Sequence, residues 1–291
     1  MSKLTDFLAG SGILVADGAT GTQLQKAGLK PGASPERWNL ENPDSIRALH
    51  RSYIEAGANV VLTNTFGGTR FRLARHGLES QAREINAAAA NLAREVAGDS
   101  VFVFGDIGPS GELLKPLGKL TYEDAVTGFA EQARGLLAGG VDAILIETMS
   151  DINEAKAAVE GVRQVSADLP LLVTFSFDTH GRTMMGARPE KVAKEIWALG
   201  VTAIGANCGR TLTETLTAIE QMRAAVPEAI LMAKPNAGLP HASGSDMVYD
   251  VTPEVMAEYA HKFAAQKVKI FGGCCGSTPE HIRAIAKALQ G

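Results

Sequence analysis

A chain of 291 residues can bury one large core, either as a single α/β barrel or as two smaller domains. Its 28 basic and 32 acidic residues give a net charge of −4, and no basic stripe indicates nucleic acid or an anionic membrane as a partner. The N-terminal MSKLTDFLAG lacks the apolar region of a signal peptide, and no run approaches the roughly 20 apolar residues of a membrane span. We therefore expect a soluble, cytoplasmic protein.

Apolar, β-branched runs of strand length recur along the chain, each followed by a polar or glycine-rich turn and a helical segment. In chain order they span residues 13–19, 60–66, 101–107, 143–149, 171–177, 203–209, 230–237 and 270–276. One helical segment is TYEDAVTGFAEQARGLLAGG, where Thr121 is the predicted N-cap and Gly139 and Gly140 form the predicted end. Runs that are apolar throughout are typical of parallel strands buried on both faces.

This alternation predicts an α/β protein with one domain, a (β/α)8 TIM barrel over residues 1–291. An open doubly wound sheet is the alternative, but no GxGxxG follows the first run, and eight similar units leave no second domain. The active site is expected at the C-terminal ends of the strands, where barrel enzymes carry their chemistry. The predicted strands end in polar residues there, among them Asp17, Asn64, Asp106, Glu147, Ser176, Asn207 and Asn236.

All three cysteines fall at this predicted rim, Cys208 after the sixth strand and Cys274 and Cys275 after the eighth. Ends of barrel strands two apart can converge on one point, and the glycines around the adjacent pair let both side chains face one side. Three thiolates favour Zn2+ with its fourth position open. The alternatives are buried apolar roles for the thiols, or a disulfide between the adjacent pair that leaves Cys208 unexplained.

Five motifs spread along the whole chain are DGATGTQLQ, TNTFGGTRFRL, ETM, GANCG and GGCCGSTPEHI. Together they resemble the homocysteine S-methyltransferase family, whose members are zinc-dependent (β/α)8 barrels that methylate the thiol of homocysteine to give methionine. The resemblance implies Cys208, Cys274 and Cys275 as zinc ligands, and Asp17 in substrate binding. Over its full length the sequence looks most like the bacterial betaine-type members.

An amino-acid thiol needs a carboxylate for its α-ammonium and backbone N–H groups for its α-carboxylate. Glu147, which ends the apolar run AILIE, is the predicted ammonium partner, although a solvated charge at a loop start is the alternative. The turn formed by Asp17, Gly18, Ala19 and Thr20 is predicted to present N–H groups to the carboxylate, or to be simply a turn. Three further residues are expected to complete hydrogen bonds or to hold loops: Asn64, Ser176 and Asn207.

The predicted methyl donor is a small onium compound of the betaine type, because a positive charge activates the methyl group and binds near carboxylates and aromatic faces. The alternatives are S-methylmethionine, or a methylcobalamin (corrinoid) protein acting in trans on a split methionine synthase subunit. A separate donor is expected because no residues follow the eighth unit to form the folate and cobalamin modules of large methionine synthases. We expect Trp38, Phe66 or Phe177 to line the donor side, since the tyrosines of the vertebrate betaine enzymes are replaced here.

Other classes of protein remain as alternatives. A metal-free aldolase or isomerase could bind phosphate at GGCCGSTPEHI and use Lys234 as a Schiff base. A zinc-storing or thiol-sensing barrel would bind metal without turnover. The six histidines, at positions 50, 76, 180, 241, 261 and 281, lack metal-site spacing and are expected at the surface or in loops. The expected partners are small-molecule substrates, with a homo-oligomer left open.

Overall fold

The computed structural model describes residues 2–243 and 246–290. Its strands are β1 (Leu14–Val15), β2 (Val60–Leu62), β3 (Phe102–Ile107), β4 (Ala143–Met149), β5 (Leu171–Phe175), β6 (Ala203–Cys208), β7 (Leu231–Pro235), β8 (His241–Ser243), β9 (Asp246–Val248) and β10 (Val268–Phe271). Its helices are α1 (Lys3–Ala9), α2 (Gly21–Lys26), α3 (Trp38–Glu41), α4 (Pro43–Glu55), α5 (Arg70–Ala74), α6 (Ala82–Ala97), α7 (Tyr122–Ala138), α8 (Ile152–Val165), α9 (Pro189–Trp197), α10 (Leu212–Ala225), α11 (Pro253–Ala265) and α12 (Pro279–Gln290). Short 3-10 turns span Pro35–Arg37 and Glu79–Gln81.

Eight parallel strands form a nearly closed barrel in the order β1-β10-β7-β6-β5-β4-β3-β2. A parallel bridge between Ala16 and Val60 joins the two ends of this order, so that β1 meets β2. Asp17 completes the seam, because its N–H donates to Val60 O (3.0 Å) and its Oδ2 accepts the N–H of Leu62 (2.8 Å). The predicted (β/α)8 TIM barrel is confirmed.

The barrel strands are buried on both faces, which explains why their sequences are apolar without alternation. Inside the barrel, one cluster joins Leu62, Leu145 and Met232 to Leu4 and Leu8 of α1. A second and larger cluster fills the layer between the strands and the surrounding helices. Because α1 packs on the interior from the N-terminal side, the polar C-terminal ends of the strands are left to form a site.

The predicted helix boundaries around α7 are confirmed. The side chain of Thr121 accepts a hydrogen bond from the N–H of Asp124 (3.1 Å), and Gly139 is the C-cap. The hydroxyl supplies one of the N–H partners that the first turn of a helix lacks.

Several predicted strands extend too far at their C-terminal ends, because their polar or glycine tails lie beyond the ladder. The last strand is Val268–Phe271, and Gly272 and Gly273 instead donate their N–H groups to Ala233 O (3.1 Å) and Asp17 O (3.0 Å). A β-carbon at Gly272 would lie 2.8 Å from atoms of Ala16, so the chain needs glycine where it leaves the barrel. The antiparallel pair β8 and β9 was not predicted, since its two segments, HAS and DMV, are too short to show an apolar run of strand length.

Candidate active site

A cavity of about 490 Å3 lies at the C-terminal end of the barrel, a size suited to small organic ligands. Its walls come from the segments after β1, β2 and β10 and from the ends of β3, β4, β6 and β7. Most of the predicted site residues line it, namely Gly18, Ala19, Thr20, Asn64, Glu147, Cys208, Cys274 and Cys275. Asp17, Ser176 and Asn207 lie behind this wall and act on it through hydrogen bonds.

The three cysteines form a compact group of free thiols. Their sulfur atoms all lie within 4.8 Å of one another, and the Sγ atoms of Cys208 and Cys274 are 3.0 Å apart. Residues 66 positions apart in the sequence are thus brought together by strands β6 and β10. This group could hold a metal ion, and the alternative disulfide between the adjacent cysteines is not present.

Backbone geometry and one asparagine hold the thiols in place. Cys208 has φ 56°, an unusual value for a residue with a β-carbon, and Gly276 beyond the adjacent pair has φ 80°. Asn236 joins the two cysteine loops, because its Nδ2 donates to Gly209 O (2.8 Å) and its Oδ1 accepts the N–H of Cys275 (3.0 Å). The thiol group is therefore positioned by the fold itself.

The thiols of Cys208 and Cys275 have pKa values shifted in opposite directions. Hydrogen bonds from Cys208 and then Cys274 lower the pKa of Cys275 to about 4. The thiol of Cys208 is the donor in these contacts, so its pKa is raised well above the usual value. Without a cation, a second thiolate would lie beside the first and repel it. A divalent cation would remove this repulsion and allow all three thiols to ionise.

A buried ion pair lies beneath the cavity. Lys234 Nζ is 3.2 Å from Asp17 Oδ1, and the two residues are 3% and 2% exposed. Burial would lower the pKa of Lys234, but the charges of Asp17 and then Glu147 hold it above its usual value. Burial raises the pKa of Asp17, and the lysine partly offsets this rise. A lysine that stays protonated is a poor nucleophile, which argues against the Schiff-base alternative.

Two further carboxylates line the cavity and have unsatisfied oxygen atoms. Within the described residues, Glu147 Oε2 and Asp106 Oδ1 are buried and accept no hydrogen bond. Burial raises the pKa of Glu147 to about 7, and burial with the charge of Glu147 raises that of Asp106 well above its usual value. Buried carboxylates without partners are costly, so this pair is suited to a cationic ligand.

The turn after β1 approaches the cavity closely. A β-carbon at Gly18 would lie 2.8 Å from the Tyr53 ring, so only glycine fits there. The N–H of Ala19 donates to Ser277 O (3.3 Å) within the protein. The buried Oγ1 of Thr22, which also lines the cavity, has no partner among the described residues.

The predicted amide and hydroxyl residues mainly hold loops. Asn64 Nδ2 donates to Pro35 O (2.8 Å) and to Asn39 Oδ1 (2.9 Å). Ser176 Oγ accepts the N–H of Gly209 at 3.3 Å. These contacts fit the loop-holding alternative that the sequence left open for both residues.

Asn207 supports the cavity wall from below. Its Oδ1 accepts the N–H of Thr148 (2.8 Å) and the hydroxyl of Thr174 (2.7 Å), and its Nδ2 donates to Thr148 Oγ1 (2.6 Å). Thr148 has φ 61°, so the amide of Asn207 stabilises an unusual backbone turn directly after Glu147. The same Nδ2 is 3.9 Å from the sulfur of Cys208.

Of the aromatic residues expected on the donor side, only Phe66 lines the cavity. Phe177 is buried against Phe175, with ring centroids 6.4 Å apart, and Trp38 packs on the hydrophobic core. The guanidinium carbon of Arg72, also in the cavity wall, is 5.2 Å from the centroid of the Phe66 ring. The outer part of the cavity therefore has an aromatic face with a cation beside it.

The prediction that all histidines lie at the surface or in loops is wrong for two of them. His50 on α4 is 1% exposed, both of its ring nitrogens lack partners among the described residues, and burial lowers its pKa to about 4. His281 on α12 is buried, accepts the N–H of Thr278 at Nδ1 (3.2 Å), and has Nε2 2.8 Å from Val251 O. Neither residue lines the cavity.

Sequence reasoning assigned no binding role to Asp106, Thr148 or Arg72, all of which line the cavity. Asp106 had a detectable signal, because a carboxylate inside the apolar run VFVFGDI requires a partner. Arg72 had none, since its position in the wall depends on how the loop after β2 folds over the barrel. No helix in the described part of the chain is both long and apolar enough to span a bilayer.

The fold and the cavity define a (β/α)8 barrel with a three-thiol group and buried carboxylates at its C-terminal end. The model of the homocysteine S-methyltransferase family matches residues 14–289. The chain belongs to this family, as its motifs predict.

Similar proteins agree with this assignment. The chain is 34% identical over 297 residues to a methionine synthase from Mycobacterium leprae (strain TN), which covers 95% of this chain and 24% of that protein. It therefore spans about a quarter of the length of that relative. The metallated form of the homocysteine methyltransferase MmuM from Escherichia coli has a TM-score of 0.82 and 24% identity, covering 98% and 99% of the two chains. The oxidised form of MmuM gives a TM-score of 0.78, 25% identity and 96% coverage of both chains.

Proposed function

We propose that the chain, as one barrel domain over residues 1–291, transfers a methyl group from a small onium donor to L-homocysteine, giving methionine, in a zinc-dependent reaction. The observation that carries this proposal is the position of three converging thiols in the same cavity as two carboxylates without partners. The thiols suit a metal that activates sulfur, and the carboxylates suit the ammonium group of an amino acid.

Zn2+ is the metal that the donor set favours. Sulfur atoms that each lie about 2.3 Å from one ion are at most about 4.6 Å apart. The three Sγ atoms lie within 4.8 Å of one another, so Cys208, Cys274 and Cys275 need little movement to share an ion. When bound, zinc would act as a Lewis acid that lowers the pKa of the substrate thiol, about 8.5 for a free thiol, so that it is deprotonated near neutral pH.

The protein's own residues would orient the acceptor. Glu147 would accept hydrogen bonds from the α-ammonium. The turn at Gly18 to Thr20 and the hydroxyl of Thr22, which line the same cavity, would bind the α-carboxylate. In the reaction the thiol loses its proton and its sulfur forms a bond to the methyl carbon. The bond from that carbon to the donor's nitrogen or sulfur breaks, and its electron pair stays on the leaving atom.

The outer part of the cavity supports a zwitterionic donor such as glycine betaine. Phe66 offers an aromatic face to an onium group, and Arg72 beside it offers a cation to a donor carboxylate. S-methylmethionine carries the same two kinds of charge and is the nearest alternative. Both donors are compatible with a cavity of about 490 Å3, which exceeds what an amino-acid thiol alone requires.

A second candidate is that the methyl group arrives on a separate methylcobalamin protein. The 34% identity to a methionine synthase, of which this chain spans about a quarter, favours it. In that case the chain would activate homocysteine as one subunit of a split methionine synthase, and the donor would not bind in the cavity as a free small molecule.

A donor panel separates these candidates. Zinc-loaded protein with homocysteine is incubated with glycine betaine, S-methylmethionine, methyltetrahydrofolate or a methylcobalamin protein, and methionine is measured by mass spectrometry. We expect methionine from betaine or a related sulfonium donor and none from methyltetrahydrofolate alone. Methionine formation with the methylcobalamin protein alone would support the second candidate. If none of the donors supports methionine formation, both candidates are refuted.

A further inference from the structure

We propose that Asp106 is a further carboxylate for the α-ammonium of the acceptor, acting beside Glu147. This inference deepens the proposed function, since it concerns how the same cavity selects an amino-acid thiol. It assigns acceptor specificity to neighbouring strands β3 and β4, which carry Asp106 and Glu147.

Asp17 already has partners within the protein. One of its oxygens accepts the N–H of Leu62 (2.8 Å) and closes the barrel seam, and the other pairs with Lys234 (3.2 Å). Its side chain is buried and is not part of the cavity wall. A ligand ammonium at Asp17 would share that carboxylate with Lys234.

Asp106 differs from Asp17, because its backbone N–H and carbonyl are hydrogen-bonded whereas one oxygen of its carboxylate has no partner among the described residues. Thr63 Oγ1 accepts its N–H (2.9 Å), while the hydroxyl of Thr65 (2.7 Å) and Gln132 Nε2 (3.2 Å) donate to its carbonyl. The residue is 5% exposed and lines the cavity, yet its Oδ1 has no partner among the described residues. These contacts hold the side chain towards the ligand without using it.

The acidic groups at the cavity floor favour an additional cation. Lys234 forms an ion pair with Asp17 there, whereas one oxygen each of Asp106 and Glu147 has no partner among the described residues. An ammonium group has three N–H donors, so it can bind both Glu147 and Asp106 at once. Binding would favour the ionised form of both carboxyl groups and satisfy both unpartnered oxygens.

This arrangement predicts strong selection against thiols that lack the amino group. A site built around buried acceptors rejects an analogue that leaves those acceptors unpaired. The deamino analogue 4-mercaptobutanoate has the same thiol and carboxylate as homocysteine but no ammonium. Wild-type protein should therefore bind it much more weakly than homocysteine.

The test measures binding by calorimetry on zinc-loaded protein without a methyl donor. Asp106→Asn should weaken homocysteine binding by about tenfold to a hundredfold, the loss expected for one charge-assisted hydrogen bond. Affinity for 4-mercaptobutanoate should be unchanged or improved in the same variant. Glu147→Gln is the positive control, and Asp99→Asn, an exposed aspartate outside the cavity lining, is the charge control.

Thermal melting of the ligand-free variants distinguishes a binding role from a structural one. Asp106→Asn and the smaller Asp106→Ser should melt no lower than wild type, because each replaces a buried acid that has an oxygen atom without a hydrogen-bond partner among the described residues. Equal homocysteine binding by wild type and Asp106→Asn, or loss of folding in both variants, would overturn the inference. No homocysteine binding by wild type would instead refute the proposed function.

Discussion

Replacing Lys234 by methionine should destabilise the ligand-free protein strongly. The change keeps the length of the side chain but removes the ammonium that lies 3.2 Å from Asp17, in a pair whose side chains are 4% and 2% exposed. Asp17 then lies in the same buried region as Asp106 and Glu147 with no cation among them. Removing one partner of a buried ion pair costs about 3–5 kcal/mol, so the free energy of unfolding should fall by about that amount at pH 8.

The loss should depend on pH in a defined direction. Burial already raises the pKa of Asp17, and the lysine is the main influence that lowers it. Without Lys234 the folded-state pKa rises further above the unfolded value. A carboxyl group with a raised pKa stabilises the fold at low pH, and this stabilisation is lost as the pH rises through the folded-state value. The deficit of Lys234→Met should therefore be largest at pH 8 and smaller at pH 5.5.

Urea unfolding of zinc-loaded protein at the two pH values provides the measurement. Asp17→Asn is the matched control and should cost less, because the remaining carboxylates still pair with Lys234 and an asparagine oxygen can still accept the N–H of Leu62. The double variant should be more stable than Lys234→Met alone, giving a coupling energy of about 2 kcal/mol or more. A loss below about 1 kcal/mol for Lys234→Met at pH 8 would refute this account of the ion pair.

Three further predictions follow from the site and from α4. Cys208→Ala, Cys274→Ala and Cys275→Ala should each lose bound zinc, measured by elemental analysis, together with activity; full zinc content in any two of them would contradict the ligand assignment. Arg72→Gln should raise KM for glycine betaine about tenfold or more but leave that for a trimethylsulfonium salt unchanged in steady-state assays, and equal effects would argue against a donor carboxylate at Arg72. His50 has a pKa lowered by burial to about 4, so the stability it contributes is lost as the pH falls from about 6.5. Between pH 7.5 and 4 wild type should lose about 3 kcal/mol more than His50→Leu in urea unfolding, and parallel losses would show that His50 is not buried in its neutral form.

The barrel and the thiol group could be predicted from the sequence because their signals are local. Strands buried on both faces have apolar runs, and each run is followed by a polar end, so the common rim of Cys208 and Cys274 follows from strand order alone. The strand ends were less predictable. Gly272 leaves the ladder because a β-carbon would contact Ala16, which is a tertiary contact that the local sequence does not contain.

The partners of the charged residues could not be predicted in the same way. Lys234 and Asp17 are 217 positions apart, and their pairing depends on how β1, β10 and β7 lie together in the barrel. The sequence shows several carboxylates at strand ends but not which one the lysine engages. Among the described residues, Asp106 and Glu147 are carboxylates with unpartnered oxygens at the cavity, and the sequence alone does not separate them from Asp17.

The seam between the first two strands limits which positions of this barrel can be changed. Asp17 replaces a backbone carbonyl as the acceptor for Leu62, so one side chain serves as part of the wall of the barrel. A library that randomises position 17 in search of new acceptors would mostly return chains that express poorly, whatever their intrinsic selectivity. The side chains at positions 106 and 147 take no part in the hydrogen bonds of this seam, so selection for new thiol substrates has more freedom there.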